Sequence, residues 1–222
     1  VAMDGAITGA TNITLSGELD AATGDFSGDV DIDGTLETDA ITLGGASFIK
    51  VEGTDFTDSL LVGHTTTGTL SSALGNTGVG IDTMDAISSG DYNTCIGKGA
   101  GGGITTGNQN TFVGYHAGQV TAGGIANTVI GYYAGASLNT NAHYNILLGE
   151  DAGDNISSGD GNVVIGKGDV ASATGDRQLS ISGYDGTTTT TWIVGDSSGN
   201  LTFPAEVAAV SLDISGAIDV DG

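Results

Sequence analysis

The 222-residue sequence predicts an all-β fold, an elongated trimeric β-solenoid or β-roll built from 17-residue repeats with β-strand connector segments at both ends. The first observation behind this is a returning phrase: Asn, often Thr, two apolar residues, then Gly. It begins at Ser59, Asn76, Asn93, Asn110, Asn127, Asn145, Asn162 and Leu179, every 17 residues except for one interval of 18 between Asn127 and Asn145. Self-similarity at a fixed period of this length marks a stack of identical supersecondary units. The second observation is that each copy places Gly four residues after its start, at Gly63, Gly80, Gly97, Gly114, Gly131, Gly149, Gly166 and Gly183. The third is composition: 40 glycines, one proline and 5% aromatic residues suit neither long helices nor an ordinary globular core.

Within a copy, an apolar pair precedes the Gly, as in Cys95-Ile96, Phe112-Val113, Val129-Ile130, Leu147-Leu148 and Val164-Ile165. Ala-Gly follows at Ala100-Gly101, Ala117-Gly118, Ala134-Gly135 and Ala152-Gly153, and a second apolar point comes at Ile87, Ile104, Leu138 and Ile156. Two glycine breaks leave room for one or two short strands joined by turns. One copy buries too little alone: residues 110–126 offer Phe112, Val113, Ala117, Val120 and Ile125 to a core. Stacking copies at the strand spacing of ~4.8 Å turns these positions into continuous rows and the asparagines into an amide ladder. The lone Cys95 takes the slot that Phe112, Val129, Leu147 and Val164 fill elsewhere, so it reads as a small core hydrophobe.

Three segments follow: an N-terminal β connector at 1–57, the repeat solenoid at 58–183, and a C-terminal β-hairpin with the start of a further connector at 184–222. Residues 25–40 alternate strictly, with Phe26, Val30, Ile32, Leu36 and Ala40 on one parity and Asp25, Asp29, Asp31, Asp33, Glu37 and Asp39 on the other. That is the period of a strand with a carboxylate-covered face. Asp29-x-Asp31-x-Asp33-Gly34 resembles the opening of a calcium loop, but Ala40 stands where the bidentate Glu belongs, so a solvated acidic face is expected and no metal. Residues 187–194 read as a strand, 195–200 as a turn and 201–203 as a second strand. Residues 19–34 align with 207–222 without gaps, which predicts a piece of a longer chain.

A balance of 4 Lys+Arg against 27 Asp+Glu, formally −23, repels nucleic acid and anionic lipid, so neither is expected as a partner. No apolar run approaches the ~18 residues of a membrane span, so no membrane insertion is expected.

The phrases Asn93-Thr-Cys-Ile-Gly, Asn110-Thr-Phe-Val-Gly-Tyr-His-Ala-Gly and Asn127-Thr-Val-Ile-Gly-Tyr-Tyr-Ala-Gly resemble repeats of bacteriophage tail fibres, those of marine phages in particular. They are distantly similar to head repeats of trimeric autotransporter adhesins. The stretch 24–45 also looks like phage fibre sequence. The resemblance implies a homotrimeric structural fibre of a virus particle, located on the virion or outside the cell. Other fibre or virion proteins, and a host-surface glycan or protein, are the partners it implies. A polysaccharide-degrading tailspike and a bacterial surface adhesin are the alternatives.

No catalytic constellation is expected: the acids lie on a connector face or in turns, and His64, His116 and His143 are scattered through turns. Glycine runs such as 99–103 lack the Lys-Ser/Thr of a phosphate loop, and no cofactor is expected. The candidate receptor contacts are Tyr115, His116, Tyr132 and Tyr133. Tyr115 and Tyr132 fall in the same slot of consecutive copies, which would make a short aromatic ridge suited to sugar rings or to bracing neighbouring turns.

Overall fold

The computed structural model describes residues 41–43, 46–63 and 67–205. The expected strands over 25–40, the repeat shared by 19–34 and 207–222, and His64 lie outside them. The described chain is all-β and contains no helix. Its strands are β1 (Ile41–Leu43), β2 (Ala46–Gly53), β3 (Phe56–Val62), β4 (Ala73–Leu74), β5 (Thr77–Val79), β6 (Thr94–Ile96), β7 (Thr111–Val113), β8 (Thr128–Ile130), β9 (Ile146–Leu148), β10 (Val163–Ile165), β11 (Leu179–Tyr184), β12 (Thr189–Gly195) and β13 (Leu201–Thr202).

One parallel sheet runs β3-β5-β6-β7-β8-β9-β10-β11, each strand joined to the next by a coil of turns. This is a β-solenoid with one short strand per coil. Its two ends are closed by antiparallel pairs, β1-β2-β3 on one side and β11-β12-β13 on the other. A parallel stack ends in a row of unpaired backbone groups that would template further strands, and a hairpin laid on each end occupies that row.

The asparagines form the expected ladder. Asn110 donates its backbone N–H and its Nδ2 to Oδ1 of Asn93, both at 3.0 Å, and its second amide hydrogen to the Gly124 carbonyl at 2.8 Å. Asn93, Asn127, Asn145 and Asn162 repeat the pattern, all fully buried. Asn suits this position because one short side chain carries both an acceptor with two lone pairs and two donors. Ser59 begins the ladder by accepting the Asn76 N–H at 2.8 Å.

The last rung differs from the sequence reading. Gln178, not Leu179, occupies the ladder slot, donating its backbone N–H to Asn162 Oδ1 at 2.9 Å and its Nε2 to the same oxygen at 3.2 Å. The coil is one residue short, yet the rung is kept, and Gln178 Nε2 also reaches the Ser172 and Gly175 carbonyls at 2.8 and 2.9 Å. Leu179 therefore pairs with Val163, and Gly183 falls out of phase with the other glycines. The longer interval is absorbed beyond Leu138, where Asn139 Oδ1 accepts the Asn141 N–H at 2.9 Å in a local turn.

The Gly after each strand is required twice over. At Gly80 φ is +138°, and an added Cβ would stand 2.6 Å from the Gly97 carbonyl oxygen of the next coil. The backbones of successive coils touch at this corner, so a side chain has neither the conformation nor the space.

The core lies inside the coils, and only the first member of each apolar pair enters it. Cys95, Phe112, Val129, Leu147 and Val164 are fully buried, while Ile96, Ile130 and Ile165 are 40–43% exposed. Of the five residues expected to fill the core of coil 110–126, Phe112 and Ala117 do so; Val113 and Ile125 are half-buried and Val120 is 49% exposed. The large Phe112 ring lies against Gly101 and Gly118, and the buried position that other coils fill with Ile or Leu holds the smaller Thr121. The converse holds at Gly78, whose absent side chain is replaced by Leu61 and by the Met84 methyl, 2.7 Å from where a Cβ would be. Close packing is kept by exchanging volume between positions rather than by repeating it.

Candidate functional site

A turn follows each strand, and side chains at equal offsets from the ladder asparagine stack in columns across coils. Two of these columns hold the expected ridge. Tyr115 and Tyr132 stack with centroids 5.3 Å apart and planes 12° from parallel, and His116 and Tyr133 stack at 5.3 Å and 13°. The columns meet edge to face, Tyr115 on His116 at 4.2 Å and Tyr132 on Tyr133 at 4.7 Å. The structure thus brings all four residues into one tile. Tyr132 is 52% exposed and Tyr115 38%, while His116 and Tyr133 are half-buried.

Because the rings stack along the columns, much of each face is spent on its neighbour, which gives the tile a bracing role worth ~0.5–1.5 kcal/mol per ring pair. Withdrawal from water and the adjoining Tyr115 hydroxyl hold the Tyr133 phenol above its ordinary pKa. His116 Nδ1 is buried without a hydrogen-bond partner, against the backbone of Gly99. The proton of a neutral imidazole then belongs on Nε2, since a donor at Nδ1 would be unsatisfied.

Beside the tile lies an open groove of about 480 Å³, lined by Asp82, Asp85, Gly99, Gly102, Gly103, His116, Gln119 and Val120. It is one coil wide. Gly99, Gly102 and Gly103 form its floor, with the coil of Asp82 and Asp85 on one side and that of His116, Gln119 and Val120 on the other.

A second cluster lies toward the C-terminal cap. Lys167 Nζ bonds Glu150 at 2.8 Å and Asp151 at 2.9 Å and stands 4.7 Å from the Tyr184 ring centre. The Glu150 and Asp151 carboxylates, by hydrogen bonding, hold its ammonium above the ordinary lysine range. Asp154 is raised to about 6, first by partial desolvation and then by its hydrogen bond to Asp169 and repulsion from that carboxylate. Two carboxyls in hydrogen-bond contact are closer than the ~5–5.5 Å that retaining glycoside hydrolysis uses, so this pair does not provide that arrangement. Among the described residues no group of three or more His, Cys, Asp or Glu could hold a metal ion.

His143 serves the fold. Its Nδ1 accepts the Ile125 N–H at 3.1 Å, and its backbone N–H donates to Asp160 Oδ1 at 2.7 Å. These bonds belong to a second ladder that sequence reasoning missed. Asp91 accepts from Leu74, Asn108 from Asp91 and Asp176 from Asp160, at 2.7–2.9 Å. The signal was present, since these polar residues all sit two before a ladder residue, but each looks alone like ordinary turn chemistry.

The outer face of the parallel sheet carries no charge. One row runs Leu60, Thr77, Thr94, Thr111, Thr128, Ile146, Val163 and Leu179, and the other runs Val62, Val79, Ile96, Val113, Ile130, Leu148, Ile165 and Ile181. At ~4.8 Å per strand the eight strands make a face about 34 Å tall.

No family model, curated protein or solved structure matches the chain.

Proposed function

We propose that this chain is a shaft segment of a homotrimeric fibre of a virus particle, of the phage tail-fibre kind, which also takes part in attachment to the host surface. The observation that carries the reading is the uncharged outer face. In a chain of formal charge −23, two copies repel each other wherever acids face acids. The acids of the coils, Asp82, Asp85 and Asp91 and then Glu150, Asp151, Asp154, Asp160, Asp169 and Asp176, lie in turns, and the strand face is a continuous double row of Thr, Val, Ile and Leu. Exposed apolar surface of this extent on a regular sheet marks an interaction site, and a second and third copy present the same uncharged surface in return. Interfaces of obligate assemblies are large and apolar, so folding and assembly are linked. The fibre class itself rests on the repeat phrases; the tile of Tyr115, His116, Tyr132 and Tyr133 is the proposed receptor contact.

The test is the double variant Ile96→Lys with Ile130→Lys. Light scattering of the unaltered chain is expected to give three times 21.8 kDa. The variant, whose substituted side chains point away from the coil core, is expected to lose the trimer while keeping a β-type circular dichroism spectrum. An unaltered chain that is monomeric at micromolar concentration, or a variant that remains trimeric, overturns the proposal.

A further inference from the structure

We propose that the notch beside the aromatic tile is a binding site for one neutral pyranose ring. This deepens the attachment reading, on which it rests for its biological setting.

The notch lies over three glycines whose places other coils fill with side chains. Gly99 has φ +67°, yet the same position of other coils holds Asp82, His116, Tyr133 and Asp151 at φ between 51° and 59°. The backbone angle therefore admits a side chain, and at Gly99 the His116 ring, its Nδ1 2.7 Å from where a Cβ would stand, takes the space instead. Gly102 and Gly103 have no left-handed φ, and neighbouring coils put Asp85 and Gln119, or Ala86 and Val120, in their places; at Gly103 the Gln119 carbonyl oxygen comes within 2.6 Å of where a Cβ would stand, so there the close coil contact itself calls for Gly. Removing three side chains from one coil leaves a trough between the coils on either side, whose backbones are two strand spacings, ~9.6 Å, apart. At about 480 Å³ it lies within the ~300–1,000 Å³ of small-molecule sites.

Its walls differ in chemistry. Asp82 and Asp85 supply carboxylates, strong acceptors for the paired hydroxyls of a sugar. Across the floor, Gln119 supplies an amide, His116 an imidazole whose free nitrogen donates, and Val120 a 49%-exposed apolar patch for a ring's C–H face. No Lys or Arg lines the notch to pair with an acidic sugar, and Asp82 and Asp85 repel uronic and sialic acids. The floor is already satisfied, with Gly99, Gly102 and Gly103 N–H groups bonded to Ile81, Gly99 and Gln119 carbonyls, so the walls decide what binds. The notch belongs to the turn and not to the strand face, so assembly through that face leaves it open in every copy. Weak single sites repeated in one particle gain avidity.

The experiment titrates the full chain with methyl glucoside, galactoside, mannoside and glucuronide, read by saturation-transfer nuclear magnetic resonance, alongside Asp85→Asn with Gln119→Ala. At least one neutral glycoside is expected to bind saturably in the millimolar range. The wall variant is expected to bind at least about tenfold more weakly with an unchanged melting temperature. No saturable binding of any neutral glycoside, equal binding by the wall variant, or equal binding of the glucuronide overturns the proposal. Host-cell attachment separates it from the reading beneath it. Sugar binding lost in the wall variant with attachment undiminished keeps the notch and ends its role in attachment, whereas attachment without any sugar binding ends the notch alone.

Discussion

Replacing Asn110 by Ala removes one rung from the middle of the buried ladder. Four hydrogen bonds go: Nδ2 to Asn93 Oδ1 and to the Gly124 carbonyl, and the two that Oδ1 accepts from Asn127 N–H and Nδ2, at 2.8–3.0 Å. Two of the partners keep a bond, since Asn93 Oδ1 still accepts the backbone N–H of residue 110 and Asn127 Nδ2 still reaches Ala142. The Asn127 N–H and the Gly124 carbonyl are left unpaired inside the coil. Each orphaned group costs ~1–3 kcal/mol, so the expected loss is about 2–6 kcal/mol per chain, a large part of the ~5–15 kcal/mol that holds a domain together. Urea unfolding followed by circular dichroism at one fixed protein concentration measures it. Asn110→Asp separates hydrogen bonding from volume. It keeps the size and the acceptor but puts a carboxylate where the amide donated, beside two oxygens. Its folded pKa must rise above the unfolded ~3.9, so the folded state binds more protons. Its deficit relative to the unaltered chain is then full above the folded pKa and shrinks as pH falls toward the unfolded value. An Ala variant within ~1 kcal/mol of the unaltered chain, or an Asp variant with a pH-independent deficit, would refute the ladder as a source of stability.

Gly80→Ala, at φ +138° with a carbonyl 2.6 Å from the new Cβ, is expected to cost about 2–4 kcal/mol, against ~1–2 for Gly199→Ala, which meets no neighbour within 4 Å; equal losses in thermal melts would count against the corner contact. Asp154, raised to about 6 from 3.8, binds its proton more tightly folded than unfolded, so the stability it contributes is present below about pH 4 and disappears as pH rises through 6. Asp154→Asn is expected to flatten melting temperature across that window, and an unchanged profile would sink the assignment.

The period, the coil, the turn glycines and the asparagine ladder were legible in the chain because each follows from one residue type returning at one spacing. An Asn every 17 residues has a single economical use once coils stack, and a Gly four residues later has only the corner to occupy. Sequence also placed Tyr115 above Tyr132, because equal offsets in consecutive coils are neighbours in a stack.

Tertiary structure decided what periodicity leaves degenerate. In Phe112-Val113 both residues are apolar, and a three-residue strand is too short for alternation to say which one faces inward. The choice depends on the Ala and Ile columns across the coil, which accept the first residue and leave the second on the outer face. Gln178 displaced Leu179 from the last rung because a hydrogen-bonding slot selects an amide at the right reach over the correct count. The notch at Gly99, Gly102 and Gly103 was hidden for a related reason. In one dimension a glycine run reads as a loop, and only the coils stacked above and below give the missing side chains walls.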